Sequence, residues 1–348
     1  MSLVVTGTIG IDTIYAPTGH VESVLGGSCT YFAAAASFYG KVRLVAAVGD
    51  DFPAEHRQTL LHFRNIDATG LEIREGSKTF RWGGKYHENM DHRETLFTEL
   101  GVVIEAPPTV PASYRDSQFV FLANMHPGVQ ASMLKHLPKR RLVVADTMDL
   151  WINTARPELE SLLKQIDGLV LNYDEAELLT GKRNPVTAAK EILKRGPKFV
   201  VVKKGEHGSM LIHRDGIGAL PAYPAEEVID PTGAGDTFAG GMMGAIAAAG
   251  GSSGKAGSFQ HILKALAHGT VIASFNIESF SLDRLKTLKP AELKKRYAAY
   301  LKMMRVHDGA SAATSPVNKT AKKTMKKAAA KGRAVAAKRG KVAKRRGK

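Results

Sequence analysis

The sequence predicts an α/β fold: a doubly wound, mostly parallel sheet with helices on both faces, plus a small β-sheet lid. Two observations point to the sheet and a third to the lid. Short β-rich runs alternate with helical patterns through residues 1–306, the order expected when strands are joined by crossover helices. Several runs are apolar without alternation, as parallel strands covered on both faces are. Two stretches, about 13–25 and 78–103, break the rhythm with β-formers and turn residues. They read as a few antiparallel strands outside the main sheet, where a lid would be. Surface hairpins without a function would give the same pattern.

Taken in order, the predicted strands are "SLVVTG", "VRLVAAVG", "QFVFLAN", "RLVVAD", "GLVLN", "KFVVVK" and "SMLIH". The helices between them are "SCTYFAAAASFYG", "AEHRQTLLHFRN", "DEAELLTG" and "NPVTAAKEILKRG". In such a sheet, ligands sit at the loops beyond the carboxyl ends of the strands.

Composition narrows the function classes. A hydrophobic fraction of 44% with 24% charged residues is the balance of a soluble globular protein. No apolar run reaches the ~18 residues that a membrane span needs, so no membrane partner is expected. "MSLVVTGTIGID" lacks the basic start of a signal peptide. Cys29 is the only cysteine, which rules out an intrachain disulfide, and the compartment reads as cytoplasmic.

The formal charge of +16 is local. From Pro316 onward there are fourteen Lys and Arg and no acid, which leaves 35 basic against 33 acidic residues elsewhere. Residues 307–348 therefore read as a disordered Lys/Arg-rich tail, unable to bury enough surface to offset its ordering entropy. "VHDGASAATSP" reads as the linker to it. Such a tail suits non-specific binding of nucleic acid.

The stretch "VIDPTGAGDTFAGG", Val228 to Gly241, carries the chemistry. Pro231 and Gly233 bar a helix, whereas "TFAGGMMGAIAAAG" permits one. The turn thus delivers Gly233, Ala234, Gly235 and Asp236 to a helix N-terminus, where free N–H groups and the dipole attract anions. Asp236 is placed to take a proton from a substrate hydroxyl. The plainer alternative is an acidic residue favoured by the dipole alone. The glycine turn, with Asp230 six residues upstream, favours the first reading. Other nucleotide patterns fail. "GGSSGKAG" departs from a Walker A loop at Ala249 and Ala256, and reads as a linker. His87 and His92 offer no third metal ligand.

"DPTGAGDTFAGG" resembles the C-terminal signature of the ribokinase-like (PfkB) carbohydrate kinase family, which includes ribokinase, fructokinase and adenosine kinase. Further motifs resemble the family in the right order, over about residues 3–304. "VVTGTIGID" places Asp12 where the family holds substrate hydroxyls. "GGSCTYFAAAASF" resembles its double-glycine substrate motif at Gly26 and Gly27. "VGDDF" matches a family turn. "LNYDEAELLTG" matches its Asn-x-x-Glu motif, with Asn172 near the phosphates and Glu175 near Mg²⁺ and its waters. "VVKKGEHG" resembles a nucleotide-contacting turn at Lys203 and Gly205. Thr232 in the signature turn and His268, toward adenine, complete the implied nucleotide contacts; a packed histidine suits His268 as well. Asp230 matches a K⁺ position. The resemblance implies ATP and Mg²⁺, with K⁺ as a candidate, and the lid as a candidate homodimer surface.

Two departures bear on the substrate. Tyr31 stands where the family has Asn, and reads either as a pocket residue or as core. Asn124, in "FLANMHP", is the nearest polar residue where many members carry Glu. Arg81, Trp82, His87 and Arg93 of the lid are candidates to touch a substrate, with Trp82 and Tyr86 suited to stack on a base and Arg93 to pair with a substrate anion; surface residues of a hairpin explain them equally well. The expected activity is ATP-dependent phosphorylation of a sugar or polyol, with a nucleoside as the alternative acceptor. A second class, a nucleic-acid-associated protein using a kinase fold as scaffold, would follow from the tail alone. Truncation after His307 is expected to leave turnover nearly unchanged and to abolish binding of duplex DNA, a binding that weakens steeply with salt. Equal DNA binding by both forms at low salt would remove the tail from any nucleic-acid role.

Overall fold

The computed structural model describes residues 2–90, 92–250 and 256–305. The Lys/Arg-rich tail and the "GSSGK" segment of the predicted linker lie outside the described residues. Residues Met1–Leu301 form one compact unit.

The chain opens with β1 (Leu3–Thr6), then β2 (Gly10–Ala16) and β3 (Gly19–Gly26). Helix α1 (Ser28–Ala36) leads to β4 (Val42–Gly49), α2 (Ala54–His62) and β5 (Ile66–Arg74). Next come β6 (Phe80–Tyr86), β7 (Arg93–Glu99) and β8 (Phe119–Leu122). After α3 (Pro127–Met133) follow β9 (Leu142–Asp146), α4 (Asp149–Thr154) and α5 (Arg156–Leu163). Strand β10 (Gly168–Asn172) precedes α6 (Tyr173–Thr180) and α7 (Pro185–Leu193). Strands β11 (Phe199–Lys203), β12 (Ser209–His213) and β13 (Gly216–Leu220) end the sheet. Helices α8 (Ala234–Ala248), α9 (Phe259–Asn276), α10 (Asp283–Thr287) and α11 (Pro290–Met303) close the unit.

Nine strands form the main sheet, in the order β13-β12-β11-β10-β9-β8-β1-β4-β5. It is parallel from β5 through β11; β12 and β13 are antiparallel. Its central strands β1, β8 and β9 are buried at every residue, which explains their unbroken apolar runs. One core packs Val120, Leu122, Val143, Leu169 and Val200 under α5, α6 and α7. On the other face α8 is flanked by α1 and α9, and its small residues let it approach both. A Cβ on Gly240 would meet the Phe32 carbonyl at 2.3 Å, and one on Gly241 would meet Ile272 at 2.4 Å.

The remaining four strands make the small sheet, in the order β3-β2-β6-β7. Its two hairpin pairs are antiparallel, but the central pair, β2 with β6, is parallel. The hairpin loops set the first kind of pairing; the join between two distant segments sets the second. Asp12 lies on β2 of this small sheet rather than at the end of β1. Two bonds tie the sheet to the segments around the signature turn. Thr18 Oγ1 donates to the Ile229 carbonyl at 2.7 Å, and Ser281 Oγ to the Leu25 carbonyl at 2.6 Å. Among the described residues no helix is long and apolar enough to cross a membrane.

Candidate active site

The signature turn forms a helix start without a side-chain cap. Gly233 is the N-cap of α8, with φ 72°, and no side chain bonds the first turn. A left-handed φ there favours glycine. The close approach of Tyr31 demands it as well, since a Cβ on Gly233 would fall 2.3 Å from the phenol ring. The Ala234 amide is engaged by the Pro231 carbonyl at 3.1 Å. Of the three amides expected to face an anion, Gly233 and Gly235 therefore remain open among the described residues. The turn is held from both sides by the buried Asn276. Its Nδ2 donates to the Thr232 carbonyl at 2.8 Å, and its Oδ1 accepts from Thr237 Oγ1 at 3.2 Å. Asn276 carries no motif signal, and the sequence reading missed it.

Lys203 ends β11, one strand from Asn172 and in register with it. Its ammonium lies over the turn, where a Cβ on Gly235 would fall 2.5 Å from Nζ. The Asn-x-x-Glu motif is a reciprocal cap. Asn172 Oδ1 accepts from the Glu175 amide and Glu175 Oε2 from the Asn172 amide, both at 2.7 Å. The same two side chains thus finish α6 and fix Glu175 beside the site.

A further carboxylate, Asp146 at the end of β9, joins them. It is 5% exposed and its Oδ1 has no hydrogen-bond partner. Burial first, then the charges of Asp236 and Glu175, hold it well above the carboxylate range, against Lys203. The available signal was an acid at the carboxyl end of the buried strand "RLVVAD". Glu175 and Asp236 are likewise raised by burial and pulled down by Lys203. A raised pKa makes Asp236 a stronger base once ionised.

Asp12 faces the same space from the small sheet. Gly26 makes room for it, because a Cβ there would fall 1.8 Å from Oδ2. Gly27 has φ 93° and caps α1. Asp12 is 3% exposed with Oδ1 unpartnered. Burial, then Asp230, pushes its carboxyl up to about 8. Asp230 is itself fully buried; its Oδ1 accepts from the Thr232 amide at 2.8 Å and its Oδ2 is unpartnered. Tyr31 is buried near both. Its ring supports Gly233, and its hydroxyl, unpartnered, feels Asp230 and Asp12. Its ring is core, and its unpartnered hydroxyl leaves the pocket reading to be tested.

Other expected residues are engaged elsewhere. Asn124 Oδ1 accepts from Trp151 Nε1 at 2.9 Å, and its Nδ2 faces Met148 Sδ at 2.9 Å. Thr232 Oγ1 donates to the Tyr86 hydroxyl at 3.1 Å, tying the small sheet to the turn. His268 stacks on Tyr297 at 4.0 Å and meets Tyr39 edge-on. Burial lowers it to about 4. Gly205, φ 54°, opens the turn after β11. Arg81 pairs with Asp51. Among the described residues no group of three His, Cys, Asp or Glu converges to hold a metal.

A doubly wound sheet with an uncapped helix start, an acid on its first turn and a lysine above it fits phosphoryl transfer. The match to pfkB family carbohydrate kinase spans residues 2–285, and the chain belongs to that family. It is an ATP-dependent kinase whose acceptor is a sugar or nucleoside. It is 33% identical to a cytidine kinase of Thermococcus kodakarensis over 70% of this chain and 87% of that one. Two solved structures share the fold. A Burkholderia thailandensis nucleoside kinase in complex with inosine has TM-score 0.69 and 18% identity, covering 86% of this chain and 99% of that one. An aminoimidazole riboside kinase from Salmonella enterica, complexed with aminoimidazole riboside and an ATP analog, has TM-score 0.70 and 17% identity, covering 85% and 100%.

Two predictions follow from burial. Asp12 has an ordinary value of 3.8 and a folded one of about 8. Between these the folded state holds the extra proton, so this residue's contribution to stability falls as pH rises. The melting temperature of ligand-free Asp12→Asn, minus that of wild type, should grow from pH 5 to pH 8.5 in scanning fluorimetry. A flat difference would refute the burial argument. Tyr31→Phe keeps the ring under Gly233 and removes only the hydroxyl. It should retain the melting temperature and the KM for ATP, and lower kcat/KM for the acceptor by about tenfold or more. Unchanged acceptor kinetics in the folded variant would return Tyr31 to the core alone.

Proposed function

We propose that the protein is a nucleoside kinase that phosphorylates a ribose hydroxyl, with a pyrimidine nucleoside such as cytidine as acceptor. The observation that carries the chemistry is Asp236 on the uncapped first turn of α8, with Asp12 facing the same space. The choice of nucleoside over the sugar or polyol first expected is supported by the likeness to the cytidine kinase. A sugar remains the second reading, because Asp12 suits any vicinal hydroxyls.

In the proposed step Asp236 takes the proton of the acceptor hydroxyl as its oxygen bonds to the γ-phosphorus. The bond from that phosphorus to the β–γ bridging oxygen breaks, and ADP leaves. The Gly233 and Gly235 amides and Lys203 stabilise the charge of the transferring group in place, which is most of what phosphoryl transfer asks of a protein. Mg²⁺, when bound, neutralises phosphate charge; Glu175 and the unpartnered Oδ1 of Asp146 suit its water shell. The orphaned Oδ2 of Asp230 suits a K⁺ ion. Asn172, Lys203 and Gly205 are the nucleotide side of the site. Thr232 acts in it by holding Tyr86, and His268 by packing beside α8.

Formation of ADP should be measured with cytidine, uridine, adenosine, ribose and fructose. Cytidine is expected to give the highest kcat/KM. Asp236→Asn should bind ATP normally in calorimetry and lose ~10²–10⁴ in kcat. Turnover confined to sugars would overturn the nucleoside reading. Near wild-type turnover in Asp236→Asn would overturn the base assignment.

A further inference from the structure

The small sheet carries an aromatic platform beside Asp12. Asp12 and Trp82 are register partners in the parallel β2–β6 pair, so their side chains leave the same face of the sheet. Gly84, two residues on, belongs to that face too. A Cβ there would fall 2.1 Å from the six-membered ring of Trp82. The indole therefore lies across Gly84 rather than standing off the sheet, and any larger residue at 84 would lift it. Glycine in a strand interior weakens the strand; here it leaves room for a flat ring. The ring is half-buried.

What covers the ring is informative. The Arg93 guanidinium sits over it, 5.1 Å from the ring centroid. A guanidinium is planar and stacks on aromatic faces, as a nucleobase does. Arg93 stands opposite Tyr86 in the β6–β7 ladder. Tyr86 is in turn fixed to Thr232 of the signature turn. The platform is thus tied to the same turn that carries Asp236, and its charged cover lowers Asp12, Glu175 and Asp236.

We infer that Trp82 is the platform on which the base of the acceptor stacks while Asp12 accepts from its ribose hydroxyls. The inference rests on the nucleoside reading. A base in this place takes over the ring face that Arg93 now covers. A sugar without a base has nothing to lay on the indole.

Trp82 and Trp151 are the two tryptophans, which allows a test independent of turnover. Cytidine should quench the intrinsic fluorescence of the full chain, and ribose should not; Trp82→Phe should lose most of that change. Trp82→Ala should raise the KM for cytidine by roughly 5- to 150-fold, the span of base–aromatic stacking, with the KM for ATP and the melting temperature retained. Trp82→Phe should restore most of the affinity. Quenching that survives in Trp82→Phe, or an unchanged cytidine KM in folded Trp82→Ala, would overturn the platform while wild-type turnover of nucleosides still stands. Wild-type turnover of sugars alone would overturn the nucleoside reading, and the platform with it.

Discussion

Five carboxylates lie around the first turn of α8, and their burial is the constraint that the surrounding structure answers. Asp12, Asp146, Glu175, Asp230 and Asp236 are each pushed up first by burial. Burial disfavours a carboxylate, and like charges nearby disfavour it further. Left to themselves, such groups would drift apart or draw in water. They are held by structure that is rigid for other reasons. Asp146, Asn172 and Lys203 end three adjacent parallel strands. Glu175 is locked by a reciprocal cap, and Asp230 and Asp236 bracket a turn that Asn276 grips from both sides. Lys203 supplies the opposing charge.

The same constraint explains the glycine-rich turn. On the proposed mechanism it must attract the phosphates of ATP and keep a negative base beside them. The amides of Gly233 and Gly235 are without partners among the described residues at the positive end of a 15-residue helix, where an anion is favoured. A side chain on Gly235 would push Lys203 away. The turn is thus small on one side for Tyr31 and on the other for the ammonium.

Much of this was legible in the chain. Two-sided burial marks the central strands as unbroken apolar runs, so β1, β4 and β8 through β12 read directly. The strands that did not read, β5 and β13, are the two edges of the sheet, where one flank lacks a strand and burial is mixed. The signature turn was legible because Pro and Gly dictate backbone geometry locally. Asp146 and Asn276 were not, because their roles come from tertiary neighbours. The parallel pairing of β2 with β6 joins segments about seventy residues apart, and no local pattern encodes that register.

Tyr31 shows how one departure shifts recognition across the site. An amide offers a sugar two groups, one donating and one accepting; a phenol offers a single hydroxyl and a ring. Here the ring is committed to Gly233 and the hydroxyl is buried and unpartnered. On the proposed reading Asp12 carries most of the recognition of acceptor hydroxyls, with the Tyr31 hydroxyl in support. One carboxylate accepts from vicinal hydroxyls but cannot tell one polyol strongly from another. Discrimination then has to come from a different part of the acceptor and a different wall of the pocket. The wall that shares a face with Asp12 is Trp82, lying flat over Gly84. On the proposed reading, a hydroxyl-poor site beside an aromatic one selects for an acceptor that carries both a ribose and a flat ring.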